Sequence, residues 1–169
     1  KKVLDFYKDF LVEHDGKLVT CPTISPENSY LDKNGNKAAL TYMPTMDVGI
    51  LQEFFMNCKE FGFDVPEIFD IPIGSDGRIN EWAEEFKETE IHHRHASQLY
   101  CIYPSAYPQS DEVREAAKKS LLTRGFDGTG WALGWKVCLW ARLDDAQNAL
   151  TLIKNQLRPI NPRGIKKPG

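Results

Sequence analysis

Apolar residues near the start of the chain recur with a helical period. Val3, Leu4, Phe6, Tyr7, Phe10 and Leu11 share one face, which predicts an amphipathic helix over 2–13. His14-Asp15-Gly16 ends it, Gly16 being suited to the left-handed conformation after a helix. Lys17 to Cys21 is a short apolar stretch, and Pro22 and Pro26 exclude a helix from the segment that follows. That segment is either an ordered loop or an exposed, floppy one. A turn is predicted at Asp32 to Lys37. A second helix starts after Pro44 or Thr45 and runs to about Gly62, with Ile50, Leu51, Phe54, Phe55 and Cys58 as its inner stripe. Residues 64–80 read mostly as loop, with an extended piece near Ile79 to Trp82. Three more helices follow: Asp111 to Arg124, Trp131 to Leu143 and Asp145 to Leu157. The middle one is apolar on nearly every face, as a buried helix is. Strand signals are few, so the fold class is all-α, with long loops that in a helical domain usually carry function.

The 41% hydrophobic content supports a real core, and the net charge of -3 argues against a nucleic-acid partner. The basic run Arg163 to Lys167 is mixed with Pro and Gly and reads as a solvated tail. We divide the chain into a helical unit over 1–157 and a tail or linker over 158–169. Cys21, Cys58, Cys101 and Cys138 lie far apart in apolar surroundings and read as small buried hydrophobes, not as a zinc or disulfide framework. No apolar run is long enough for a membrane span, and no signal peptide is visible.

Four features carry candidate chemistry. Glu27 stands in S-P-E-N, either as a solvated loop residue or as an acid held rigidly enough to reach a leaving oxygen. Asp127 stands in R-G-F-D-G-T-G-W, either as a helix cap or as a carboxylate presented where glycine backbone lets a ligand approach. His92-His93-Arg94-His95 matches no metal-binding spacing, so no metal and no cofactor is expected; a hydrogen-bonding sugar site or a packed cluster fits better. Among the tryptophans, Trp135 and Trp140 read as core, and Trp131, beside Gly130 at a helix start, as a ligand wall. Two carboxylates on ordered loops make a glycosidase plausible, since such a pair brackets an oxocarbenium-like transition state.

In order and spacing, T-I-S-P-E-N (Thr23 to Asn28), P-T-M-D (Pro44 to Asp47), H-R-H-A-S-Q-L-Y (His93 to Tyr100) and R-G-F-D-G-T-G-W-A-L-G-W-K-V-C-L-W-A-R-L (Arg124 to Leu143) resemble glycoside hydrolase family 95. The resemblance extends to about Leu157. It implies a bacterial α-L-fucosidase with an (α/α)6 barrel, cleaving terminal α-L-fucosyl or α-L-galactosyl groups with inversion. It further implies Glu27 as general acid and Asp127 as general base, with Asn28, His93, Arg94, His95 and Trp131 contacting the sugar. The partner is then a fucosylated oligosaccharide or glycan, and the location periplasmic or extracellular. Many relatives also carry an acid at the position of Phe126, and the usual S-H-L reads Ser97-Gln98-Leu99 here. The upstream asparagines that assist the base in the family are not found. Five or six helices make only the C-terminal half of such a barrel, so the chain is expected to need the N-terminal part of the same protein and to be poorly active alone. A non-catalytic helical module that binds glycans or a protein is the alternative.

Overall fold

The computed structural model describes residues 1–67 and 69–159; most of the tail read over 158–169 lies outside the described residues. Helix α1 (Lys2–Phe10) buries Leu4 and sets Tyr7 against Phe54 and Phe55 at ring distances of 5.6 and 6.3 Å. It stops earlier than its apolar period suggests, because the chain turns extended at Leu11. Strands β1 (Val12–His14) and β2 (Lys17–Val19) then pair antiparallel, with Val12 opposite Val19. Asp15 and Gly16 both take positive φ, 49° and 76°. They form the two-residue hairpin turn that Asp-Gly favours, so Gly16 closes a hairpin and does not cap a helix.

Five more short strands occupy the region up to Glu88: β3 (Thr23–Ile24), β4 (Tyr30–Leu31), β5 (Lys37–Ala38), β6 (Leu40–Thr41) and, after helix α2 (Thr45–Glu60), β7 (Lys87–Glu88). Strand β3 pairs with β6, and β4 lies between β5 and β7, all antiparallel. The all-α expectation therefore holds only in part: the chain is helix-rich, with small sheets between Val12 and Glu88. Stacking of Tyr30 on Phe86 (4.1 Å) and its edge contact with Trp82 (5.1 Å) fasten the three-stranded sheet to the core.

Helix α2 buries Val48, Leu51 and Phe55 and packs on a 3-10 helix, Ser97–Cys101. Gly49 makes this approach possible: a Cβ there would lie 3.1 Å from the Cys101 backbone nitrogen. Helices α3 (Asp111–Arg124), α4 (Gly130–Arg142) and α5 (Ala146–Gln156) follow. The Ser110 hydroxyl caps α3 by accepting from the Val113 N–H, and Asp145 caps α5 through the Asn148 N–H. Leu99, Leu121, Leu133, Leu139, Trp140 and Leu152 join one apolar cluster that also takes in Leu4 and α2. Of the cysteines only Cys101 is buried; Cys21 is exposed and Cys58 and Cys138 lie between, which corrects the expectation of four buried thiols. Burial pushes the Cys101 thiol up to about 12. No helix among the described residues is long and apolar enough to cross a membrane.

Candidate active site

The loop between β3 and β4 carries Glu27, and the link between α3 and α4 carries Asp127. Both side chains are exposed. Arg94 contacts the first and shares a cleft with the second. Its guanidinium pairs with the Glu27 carboxylate, and Arg94 also lines a cleft of about 630 Å³ together with Asp127 and Thr129. On the other side of the S-P-E-N loop, Pro26 borders a second cleft of about 730 Å³, walled by His95, Tyr103, Trp131 and Trp135. This second cleft is mainly apolar. His95 meets Trp131 edge-on at 5.3 Å, and Trp131 tilts on Trp135 at 5.2 Å. Trp131 is 62% exposed, so its ring offers a surface on which the apolar face of a sugar can stack. Trp140 belongs to the core, as expected, whereas Trp135 is half-buried and gives its indole N–H to the Tyr103 carbonyl.

Arg94 and Asp127 thus line the first cleft and His95 and Trp131 the second, Glu27 is exposed beside them on Arg94, and Asn28 and His93 are buried. Asn28 spends its amide internally: its N–H groups go to Glu81 (2.8 Å) and Glu88 (3.0 Å), and its oxygen accepts from the Ser29 N–H (2.8 Å). Nδ1 of His93 accepts from the backbone N–H of His95 at 3.0 Å, so the proton of the neutral ring sits on Nε2. The His92 ring instead faces the Thr123 carbonyl at 2.8 Å. The three histidines point to different partners, and no group of three His, Cys, Asp or Glu side chains among the described residues is placed to hold a metal.

Burial holds His93 below the ordinary histidine range; Glu90 works against that, and the charges of His95, Arg94 and Arg124 add to it. An unfolded histidine titrates near about 6.5. Stability from the neutral ring is therefore full above that value and is lost as pH falls through it toward the lower folded value. His93→Asn keeps an acceptor near the Nδ1 position and removes the titration. Thermal unfolding between pH 7 and 5 should show a shallower decline for this variant than for the parent chain. Equal slopes would mean that another group sets the acid sensitivity.

A third cleft, of about 530 Å³, is lined by Arg78, Glu81 and Glu88, which belong to an ionic network that the sequence did not single out. Glu81, with a fully buried side chain, accepts from Ser25 Oγ (2.9 Å), Asn28 Nδ2 (2.8 Å) and Arg124 Nη2 (2.6 Å). Arg124 also pairs with Glu88 (2.6 Å), which Arg78 approaches at 3.1 Å. Burial outweighs the Arg124 guanidinium and pushes the Glu81 carboxyl above its usual range. Lys136, buried in α4, gives its ammonium to the carbonyls of Arg124 (3.1 Å), Gly125 (3.0 Å) and Asp127 (3.1 Å). The Asp127 turn is thereby held from inside, while Asp127 itself accepts from the Gly128 N–H at 2.9 Å. The capping position of α4 belongs to Thr129.

The glycosyl hydrolase family 95 catalytic domain model matches residues 1–167. Alpha-L-fucosidase 2 of Arabidopsis thaliana is 34% identical over 183 residues, covering 95% of this chain and 22% of the relative. Probable alpha-fucosidase A of Aspergillus niger is 35% identical over 48% of this chain and 12% of its own length, and that of Aspergillus oryzae 31% over 46% and 13%. The chain therefore spans about a fifth of the length of the Arabidopsis relative.

Proposed function

The chain belongs to glycosyl hydrolase family 95, and from that premise we propose that it supplies catalytic residues to a glycosidase that removes terminal α-L-fucosyl groups with inversion. The observation that carries this reading is Arg94, whose guanidinium pairs with Glu27 while its side chain lines the cleft of Asp127. The names of the relatives, all fucosidases, support the choice of sugar.

In this mechanism Arg94 leaves Glu27 for the sugar, and Glu27, protonated, gives its proton to the glycosidic oxygen as the C–O bond breaks. Asp127 takes a proton from the water that attacks the anomeric carbon from the opposite face. Inversion leaves room for that water, which sets the two carboxyl groups about 6.5–9.5 Å apart in the working enzyme. Arg94 and His95 direct hydrogen bonds at sugar hydroxyls, Trp131 stacks against the ring, and Asn28 and His93 steady these groups from behind. The other helices of an (α/α)6 barrel come from the rest of the protein. Leu150 and Ile153, exposed on α5 at helical spacing, offer an apolar face for them to cover. A fucosylated glycan substrate puts the enzyme in the periplasm or outside the cell. Release of fucose from 2'-fucosyllactose by the full-length protein, followed by NMR, should show the β-anomer first. The α-anomer appearing first would exclude single displacement.

A further inference from the structure

We propose that Glu81 is a positioning residue whose buried carboxylate ties the Glu27 loop to the Asp127 turn and so sets the geometry between them. The proposal rests on the reading of Glu27 and Asp127 given above. Ser25 and Asn28 flank Pro26-Glu27 in the chain, and both donate to Glu81. Arg124 stands three residues before Asp127 and donates to the same carboxylate. One side chain, itself fully buried, therefore contacts both loops. Among the described residues no other carboxylate makes all three contacts: Glu88 meets Asn28 and Arg124 but not Ser25.

Stability alone is a poor reason for this arrangement. A buried ion pair loses about as much in desolvation as it gains in attraction, and apolar replacements of similar volume often do as well. Fixed geometry is what a three-way carboxylate supplies and an apolar contact does not. Catalysis is sensitive to it, since a displacement of about 1 Å in a reacting group can cost about a hundredfold in rate.

Two substitutions separate reach from charge. Glu81→Asp keeps the charge but is one methylene too short to contact both loops. Glu81→Gln keeps the reach: its oxygen can face Asn28 and Arg124 while its amide donates to the Ser25 hydroxyl, which also accepts. In the full-length protein, E81D should lower kcat by about fiftyfold, and E81Q by less than about fivefold, with KM within about threefold for both. A purely electrostatic or stabilising role predicts the reverse order. Hydrogen exchange provides a readout independent of turnover: E81D should speed amide exchange in residues 23–29 and 125–130 together, leaving α2 and α5 unchanged. Normal kcat in E81D, E81Q worse than E81D, or unchanged exchange in either loop overturns the proposal. Glu27→Gln is the control. If E27Q turns over normally, the acid assignment fails; if E27Q is inactive while E81D is normal, only the role of Glu81 fails.

Discussion

Glu27→Gln in the full-length protein is expected to lower kcat on an unactivated fucoside by about a thousandfold. Positioned general acids contribute about 10²–10⁴-fold, and cleavage of an alkyl glycoside depends on protonation of a poor leaving group. Glutamine has no proton to give, yet its carbonyl can still accept from Arg94, so the exposed loop should keep its place. The loss should shrink markedly on a substrate with an acidic leaving group, such as a nitrophenyl fucoside or fucosyl fluoride, whose departure needs little protonation. Asp127→Asn should behave differently, because a water that is not deprotonated remains a weak nucleophile whatever leaves. Steady-state kinetics on the two substrate classes checks both variants. Retention of more than a tenth of the activity in E27Q on the unactivated substrate would falsify the acid role.

The second large effect concerns folding. Arg124→Met should destabilise the protein by about 3–5 kcal/mol, the usual cost of removing one partner from a buried ion pair. The Arg124 side chain is 1% exposed and pairs with Glu81, fully buried, and Glu88, 9% exposed. It also donates to the Ile91 carbonyl at 2.5 Å. Methionine fills much of the volume but leaves Glu81 without a cation. Arg78 remains for Glu88, so the penalty falls chiefly on Glu81. Lysine at the same position should lose less, because it restores the charge but not the planar fork that serves several acceptors. Chemical denaturation read by tryptophan fluorescence measures the difference. A loss under about 1 kcal/mol would show that water or local rearrangement compensates the carboxylates.

The helices from α2 onward were legible because each is long enough to show its period, and Ser110, Gly125 and Asp145 mark their ends chemically. The strands were not. Each has two or three residues, too few for alternation to be distinguished from loop, and they exist because tertiary pairing and the Tyr30–Phe86 stack hold them. The first helix was read too long because Leu11 and Val12 continue the apolar run while the Asp15-Gly16 turn draws Val12 into a hairpin. Glu27 and Asp127 were visible as acids among Pro and Gly. What fixes their loops was not, since Glu81 and Arg124 are far apart in the chain and charged residues are ordinarily assigned to the surface. One signal was present: Lys136 interrupts W-A-L-G-W-K-V-C-L-W, a helix apolar on nearly every face, where a cation must find buried acceptors.

Those acceptors are backbone carbonyls. A fold that secures a bend through its main chain leaves the outward substituents of that bend replaceable. Exchanges at the exposed Asp127 should therefore change what the surface does far more readily than the path the polypeptide takes, which makes this position a place where activity can be lost or regained without rebuilding the scaffold.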